Sequence, residues 1–186
     1  MKNLLWIGDG SDIDSGFGRA TRYTIAGLDY RYDGEFNCTV LGINSFGDPH
    51  DFKYPIYPCW PGQDMWGIGR LSDLLPQVRP DVIVIQNDPW NIPYYTEVLS
   101  ETKIPIVASL AVDGFNCRGG NAKAVKTDKL HGFALAKERG LNELALAIFW
   151  TEFGRSEALK GGCEIPTAVI PLGVDRSIYK PYDRQE

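Results

Sequence analysis

The chain has 186 residues, 44% hydrophobic and 23% charged, with a net charge of −5. That composition suits a globular protein with one well-buried core, and the acidic balance argues against a nucleic-acid surface, which needs clustered Lys and Arg. No apolar run reaches the ~18 residues of a membrane span, and the N-terminus lacks a leader pattern.

The cysteines, at 38, 59, 117 and 163, form no C-x-x-C pair and lie away from His50 and His131. No zinc site is expected from that spacing, and the cytoplasm is the expected compartment.

Apolar runs alternate with helical patterns. "LLWIG" (4–8) reads as a first strand and ends in a glycine-rich turn. "FGRATRYTIAGLDY" (17–30) follows as a helix, and "NCTVLGI" (37–43) as a second strand. A loop rich in Pro, Tyr and Trp runs from about 45 to 66 and holds a short strand candidate, "YPIYPC".

"GRLSDLLPQV" (69–78) places Leu71, Leu74, Leu75 and Val78 on one helical face, with Pro76 kinking it or near its end. "DVIVIQ" (81–86) reads as a strand buried on both faces. Helix "NIPYYTEVLSET" (91–102) and strand "IPIVASLAV" (104–112) follow. Then come a helical pattern at 126–140, strand "ELALAIFW" (143–150), a helix from Thr151 to Gly161 or Gly162, and strand "TAVIPLGV" (167–174). The alternation predicts a Rossmann-like three-layer α/β domain, with a mostly parallel sheet and helices on both faces. Ligands of such sheets bind beyond the C-terminal strand ends, at the switch point. That selects the loops 9–18, 44–48, 87–90 and 113–121.

In the first of these loops Ser15, Gly16, Phe17 and Gly18 open a helix, where backbone amides can face an anion and Arg19 and Arg22 can pair with phosphate. The same glycines also suffice to make a tight turn. A dinucleotide fingerprint would need glycine at Thr21 and a ribose-binding acid at the end of the second strand, which instead ends "GINSF". No P-loop motif occurs.

Asn87 and Asp88 fall at a strand end, where Asp88 can cap the next helix, contact a ligand, or both. Asp113 and Gly114 follow the next strand; Asp113 can receive a sugar hydroxyl proton or simply shape a turn. Glu152 and Arg155 start a helix at a further strand end. They can reach the cleft or act as ordinary first-turn charges. The aromatics of 46–66, including Phe46, Phe52, Tyr54, Tyr57, Trp60 and Trp66, can stack on sugar, meet a partner or fold over the sheet edge.

These residues together resemble the N-terminal half of a GT-B glycosyltransferase of the retaining family 4 type. "SGFGRATRYTIAGL" resembles that family's glycine loop and first helix, and "RPDVIVIQNDPW" its central strand. "VASLAVDG" resembles the strand before its catalytic cleft. The closing "IFWTEFGRSEALKGGCEIPTAVIPLGVDRSIYKP" resembles the end of its first domain, with Ile170, Pro171, Gly173, Val174, Asp175, Tyr179 and Pro181 at the matching positions. Leu172 stands where Asn or His is usual, and Asp113 where many members carry His. The family's E-x7-E pattern, which marks its donor-binding domain, is absent.

The resemblance implies a domain over 1–182 and a linker start at 183–186. It implies an acceptor-binding half that is inactive without a C-terminal donor domain. The full enzyme would move a sugar from a nucleotide diphosphate sugar to an acceptor hydroxyl, with Asp113 catalytic and no metal or other cofactor. A stand-alone, non-catalytic sugar- or nucleotide-phosphate-binding module is the alternative. The expected partners are the nucleotide sugar, an acceptor, the donor domain and, through exposed aromatics, a second copy.

Overall fold

The computed structural model describes residues 1–59, 64–112, 143–176 and 178–180. Seven parallel strands form one sheet in the order β3-β2-β1-β4-β5-β6-β7. They are β1 (Lys2–Asp9), β2 (Phe36–Ile43), β3 (Ile56–Pro58), β4 (Val82–Asn87), β5 (Ile106–Leu110), β6 (Leu146–Phe149) and β7 (Thr167–Val169). Among the described residues the α-helices are α1 (Gly16–Tyr32), α2 (Ile68–Val78), α3 (Ile92–Leu99) and α4 (Glu152–Lys160). The three-layer α/β expectation holds. The chain runs outward from β1 through β2 to β3, then returns to lay β4 on the other side of β1. The switch point therefore lies between the ends of β1 and β4.

Strand side chains alternate between faces, so the two faces can be compared residue by residue. On one face Leu5, Ile7, Ile83, Ile85, Ala108 and Phe149 are buried in one continuous core. It includes Leu71 and Leu74 of α2, Tyr95 and Leu99 of α3, and Ala158 of α4. On the other face Leu4, Trp6, Cys38 and Val40 pack under Ile25 of α1. Further along that face Val84, Val107 and Ile148 are only half-buried. The "DVIVIQ" run is thus fully covered on one side and partly open on the other. Its β-branched residues satisfy both environments, so the apolar run alone overstated the burial.

Several ends differ from the sequence expectation. The segment after β4 starts with a 3-10 turn at Pro89–Asn91 before α3, because Pro89 and Pro93 shape the entry. Pro76 lies in the last turn of α2, near its end as expected. Asp64 caps α2: its carboxylate accepts from the amides of Ile68 at 2.8 Å and Arg70 at 2.9 Å. Thr151 caps α4, its hydroxyl accepting from the Gly154 amide at 3.0 Å. The strand read at 167–174 ends at Val169, and after Ile170, whose amide still donates to the Phe149 carbonyl, the described residues 171–176 and 178–180 run on outside the strands as a strap.

Cys38, Cys59 and Cys163 are buried and free, as core residues should be. Burial pushes the Cys59 thiol up to about 12. Cys117, His131 and the helix read at 126–140 lie outside the described residues. Among the described residues, no helix is long and apolar enough to cross a membrane.

Candidate functional site

The site begins at the C-terminal end of β1, where the Asp9 carboxylate organises the loop. One of its oxygens accepts from the Ser15 hydroxyl and the other from Asn44 Nδ2 at 3.0 Å. Ser15 Oγ in turn accepts from the Gly18 amide at 2.9 Å, and the Ser15 carbonyl accepts from the Arg19 amide at 3.0 Å. Two of the four amides that open α1 are therefore satisfied internally. Those of Gly16 and Phe17 have no partner among the described residues.

The two glycines of this loop do different work. A Cβ on Gly18 would lie 2.3 Å from the Ile13 carbonyl oxygen and 2.9 Å from that of Gly10. Gly18 is there so that α1 can press on the loop. A Cβ on Gly16 would meet nothing within 4 Å. Gly16 faces open space and leaves its amide approachable.

Thr21, which occupies the fingerprint's third glycine position, is fully buried and ties three elements together. Trp6 Nε1 donates to Thr21 Oγ1 at 3.2 Å, and the Thr21 hydroxyl donates to Gln86 Oε1 at 2.6 Å. A glycine there would lose the link between α1, β1 and β4. The absent fingerprint thus has a structural counterpart.

The cations are committed locally. Arg19 is exposed and binds Asp14 through Nε at 2.9 Å and Nη2 at 2.8 Å. The hydrogen bond that Arg19 donates to Asp14, and the charge of Asp14, raise the Arg19 pKa further. Arg22 donates to the Ser11 carbonyl at 2.8 Å and lies over the Phe52 ring. Phe52 also stacks on Tyr54, whose hydroxyl donates to Ser11 Oγ at 2.8 Å. Most of the described aromatic loop is folded down in this way, with Tyr57 and Trp66 against the core, while Phe46 remains exposed.

The Phe17 ring meets that of Trp150 at a tilt, with ring centroids 5.2 Å apart. Trp150 follows β6, and its indole donates to Ser109 Oγ at 3.1 Å. Sequence reasoning missed Trp150, Ser109 and Gln86. Period-two alternation in "ELALAIFW" and "IPIVASLAV" does place Ile148, Trp150, Val107 and Ser109 on one face. That was the available signal.

The other expected site residues divide. Asn87 is buried and used internally: its Oδ1 accepts from the Asp88 amide at 2.8 Å and from Asn91 Nδ2 at 2.9 Å. Asp88 is half-buried at the rim, without a side-chain capping bond to the following turn. Arg155 donates to Thr167 Oγ1 at 2.9 Å and pairs with Glu152 at 3.6 Å, which directs it toward β7. Glu152 is exposed beside it. Asp113, Gly114 and Trp60 lie outside the described residues. Among the described residues no group of three His, Cys, Asp or Glu side chains is placed to hold a metal.

Beside Trp150 lies a cavity of about 1080 Å³, bounded by α1, the half-open sheet face and the strap. It runs from Gly16 and Arg19 at the rim down to Leu4 and Leu28.

No protein-family model matches this chain, and no curated protein sequence matches it. Solved structures that its fold matches include two UDP-GlcNAc 2-epimerases. One is from Neisseria meningitidis, bound to UDP-GlcNAc, at 15% identity and a TM-score of 0.50 over 91% of this chain and 45% of that one. The other is from Methanocaldococcus jannaschii, at 16% identity and 0.52, over 88% of this chain and 43% of that one. At such identities the likeness is one of fold, the GT-B-like Rossmann arrangement. The chain spans less than half the length of these structures.

Proposed function

We propose that this chain is the acceptor-side half of a retaining glycosyltransferase that uses a nucleotide diphosphate sugar. The observation that carries the reading is the open Gly16–Phe17 amide pair at the switch point. It lies in a fold shared with an enzyme solved with UDP-GlcNAc. Helix-terminal amides suit a phosphate oxygen, and stabilising a diphosphate leaving group is the main demand of the chemistry.

The loop is a weak anion site by itself. From 9 to 22 it carries Asp9, Asp12 and Asp14 against Arg19 and Arg22, and Arg19 is held by Asp14. Cations from a second domain would supply the remaining neutralisation. In this reading the amides of Gly16 and Phe17 contact the donor phosphate, and Asp113 and Gly114 meet the acceptor hydroxyl. The Phe17–Trp150 pair offers an aromatic surface to a sugar ring.

A second reading is nucleotide-sugar epimerisation, favoured because both matched structures are of UDP-GlcNAc 2-epimerases. One assay separates the two. The longest natural reading frame is incubated with UDP-sugars, with and without candidate acceptors, and the products are analysed. Sugar transfer with retained anomeric configuration supports the transferase. An epimerised nucleotide sugar formed without acceptor supports the second reading. Transfer by the 186-residue chain alone would contradict the half-site account.

A further inference from the structure

The cavity under α1 has a polar seam in an otherwise apolar wall. Gln86 and Ser109 are register partners on β4 and β5, so they stand side by side on the half-open face. Their hydrogen bonding leaves the donor group of each unused. Trp6 Nε1 already donates to Thr21 Oγ1, so the Thr21 hydroxyl hydrogen goes to Gln86, and Gln86 turns its oxygen toward α1. The Gln86 Nε2 group is left without a partner among the described residues, on a side chain that is only 2% exposed and lines the cavity. Likewise the Trp150 indole occupies Ser109 Oγ as acceptor, which leaves the Ser109 O–H with no partner among the described residues.

Around this pair the wall is hydrocarbon. Val84, Val107 and Ile148 floor the cavity, and Leu172, Val174 and Ile178 of the strap, all more than half exposed, form its outer side. The volume matches a sizeable organic ligand. A purely apolar helix face laid here would strand both donor groups, at a desolvation cost. A ligand with an oxygen-rich end and a hydrocarbon body would satisfy both parts.

We infer that this cavity binds an amphipathic molecule, its phosphate or sugar oxygens on Gln86 Nε2 and the Ser109 hydroxyl and its hydrocarbon chain along Val84, Val107 and Ile148. The inference rests on the transferase reading and names its acceptor class as lipid-linked. Arg19 at the mouth is already paired with Asp14, and Asp175 lies on the strap, so the head is one of low charge.

The test titrates the 186-residue chain with dodecyl phosphate below its micelle-forming concentration. Calorimetry follows binding, together with the emission of the tryptophans, of which Trp6 and Trp150 line the cavity. The expected result is saturable 1:1 binding that equimolar inorganic phosphate does not displace. Val174→Glu changes an exposed strap residue and leaves the fold intact; it weakens binding at least tenfold. Ile148→Glu, checked for folding by circular dichroism, does the same from the sheet side. Full displacement by inorganic phosphate, non-saturable binding, or indifference to Val174→Glu overturns the inference. So does a dimer that Val174→Glu dissociates and that takes up no lipid. A parallel titration with UDP-GlcNAc separates the two readings: nucleotide-sugar binding without lipid binding sinks only this inference.

Discussion

The two faces of the sheet are built from the same strands and serve different ends. Toward α2, α3 and α4 the strands present Ile7, Ile85, Ala108 and Phe149, all fully buried. Toward α1 they present Val84, Val107 and Ile148, half-buried, beside Gln86 and Ser109 with spare donors. The closed face carries the stability, because burial of apolar area is the main favourable contribution to folding. The half-open face has apolar surface and polar groups still to satisfy, and it adjoins the rim where the α1 amides are open. Neighbouring residues of one strand thus belong to different tasks.

The largest expected contrast lies within β4. Ile85→Ala should cost about 2–5 kcal/mol, since it empties a closed core. Val84→Ala, one residue away on the half-open face, should cost about 1 kcal/mol or less. Urea unfolding of both variants measures this. Equal losses would break the comparison and show that the α1 face is as tightly packed as the other.

The next contrast lies within the glycine loop. Gly18→Ala pushes a Cβ into the Ile13 and Gly10 carbonyls and should cost about 1–3 kcal/mol. Gly16→Val enters open space and should stay within about 0.5 kcal/mol of the parent, yet weaken nucleotide-sugar binding. Thermal melts and a binding titration on the two variants sharpen the division between packing and contact. A stable Gly18→Ala protein would place that glycine with Gly16.

The strand and helix order was legible because each run carried its own period and its own stops, as in Leu71, Leu74 and Leu75 on α2 or Thr151 ahead of α4. The parallel sheet followed from their alternation. The openness of one face was not legible, because "DVIVIQ" has the same residues whether one or two helices cover it. Coverage is decided by what packs there. At the site, Gly16 and Gly18 were found together but not told apart, since only the approach of the Gly10 and Ile13 carbonyls separates them. Thr21 and Gln86 meet across 65 positions, and Phe17 meets Trp150 across a longer gap still. Long-range pairs of this kind leave no local spacing to read. Asn87 stands at a strand end, where function gathers, and the bonds its Oδ1 accepts from the Asp88 amide and Asn91 Nδ2 have no signature in local spacing.

The central claim is that the start of α1 is where a nucleotide sugar's phosphate meets this chain. A two-dimensional amide NMR titration of the isotopically labelled chain with UDP-GlcNAc tests it most directly. The account predicts that the Gly16 and Phe17 amides and the Trp150 indole shift most, with the Ile85 and Ala108 amides unmoved. Shifts confined to other regions, or none at millimolar ligand, would contradict it.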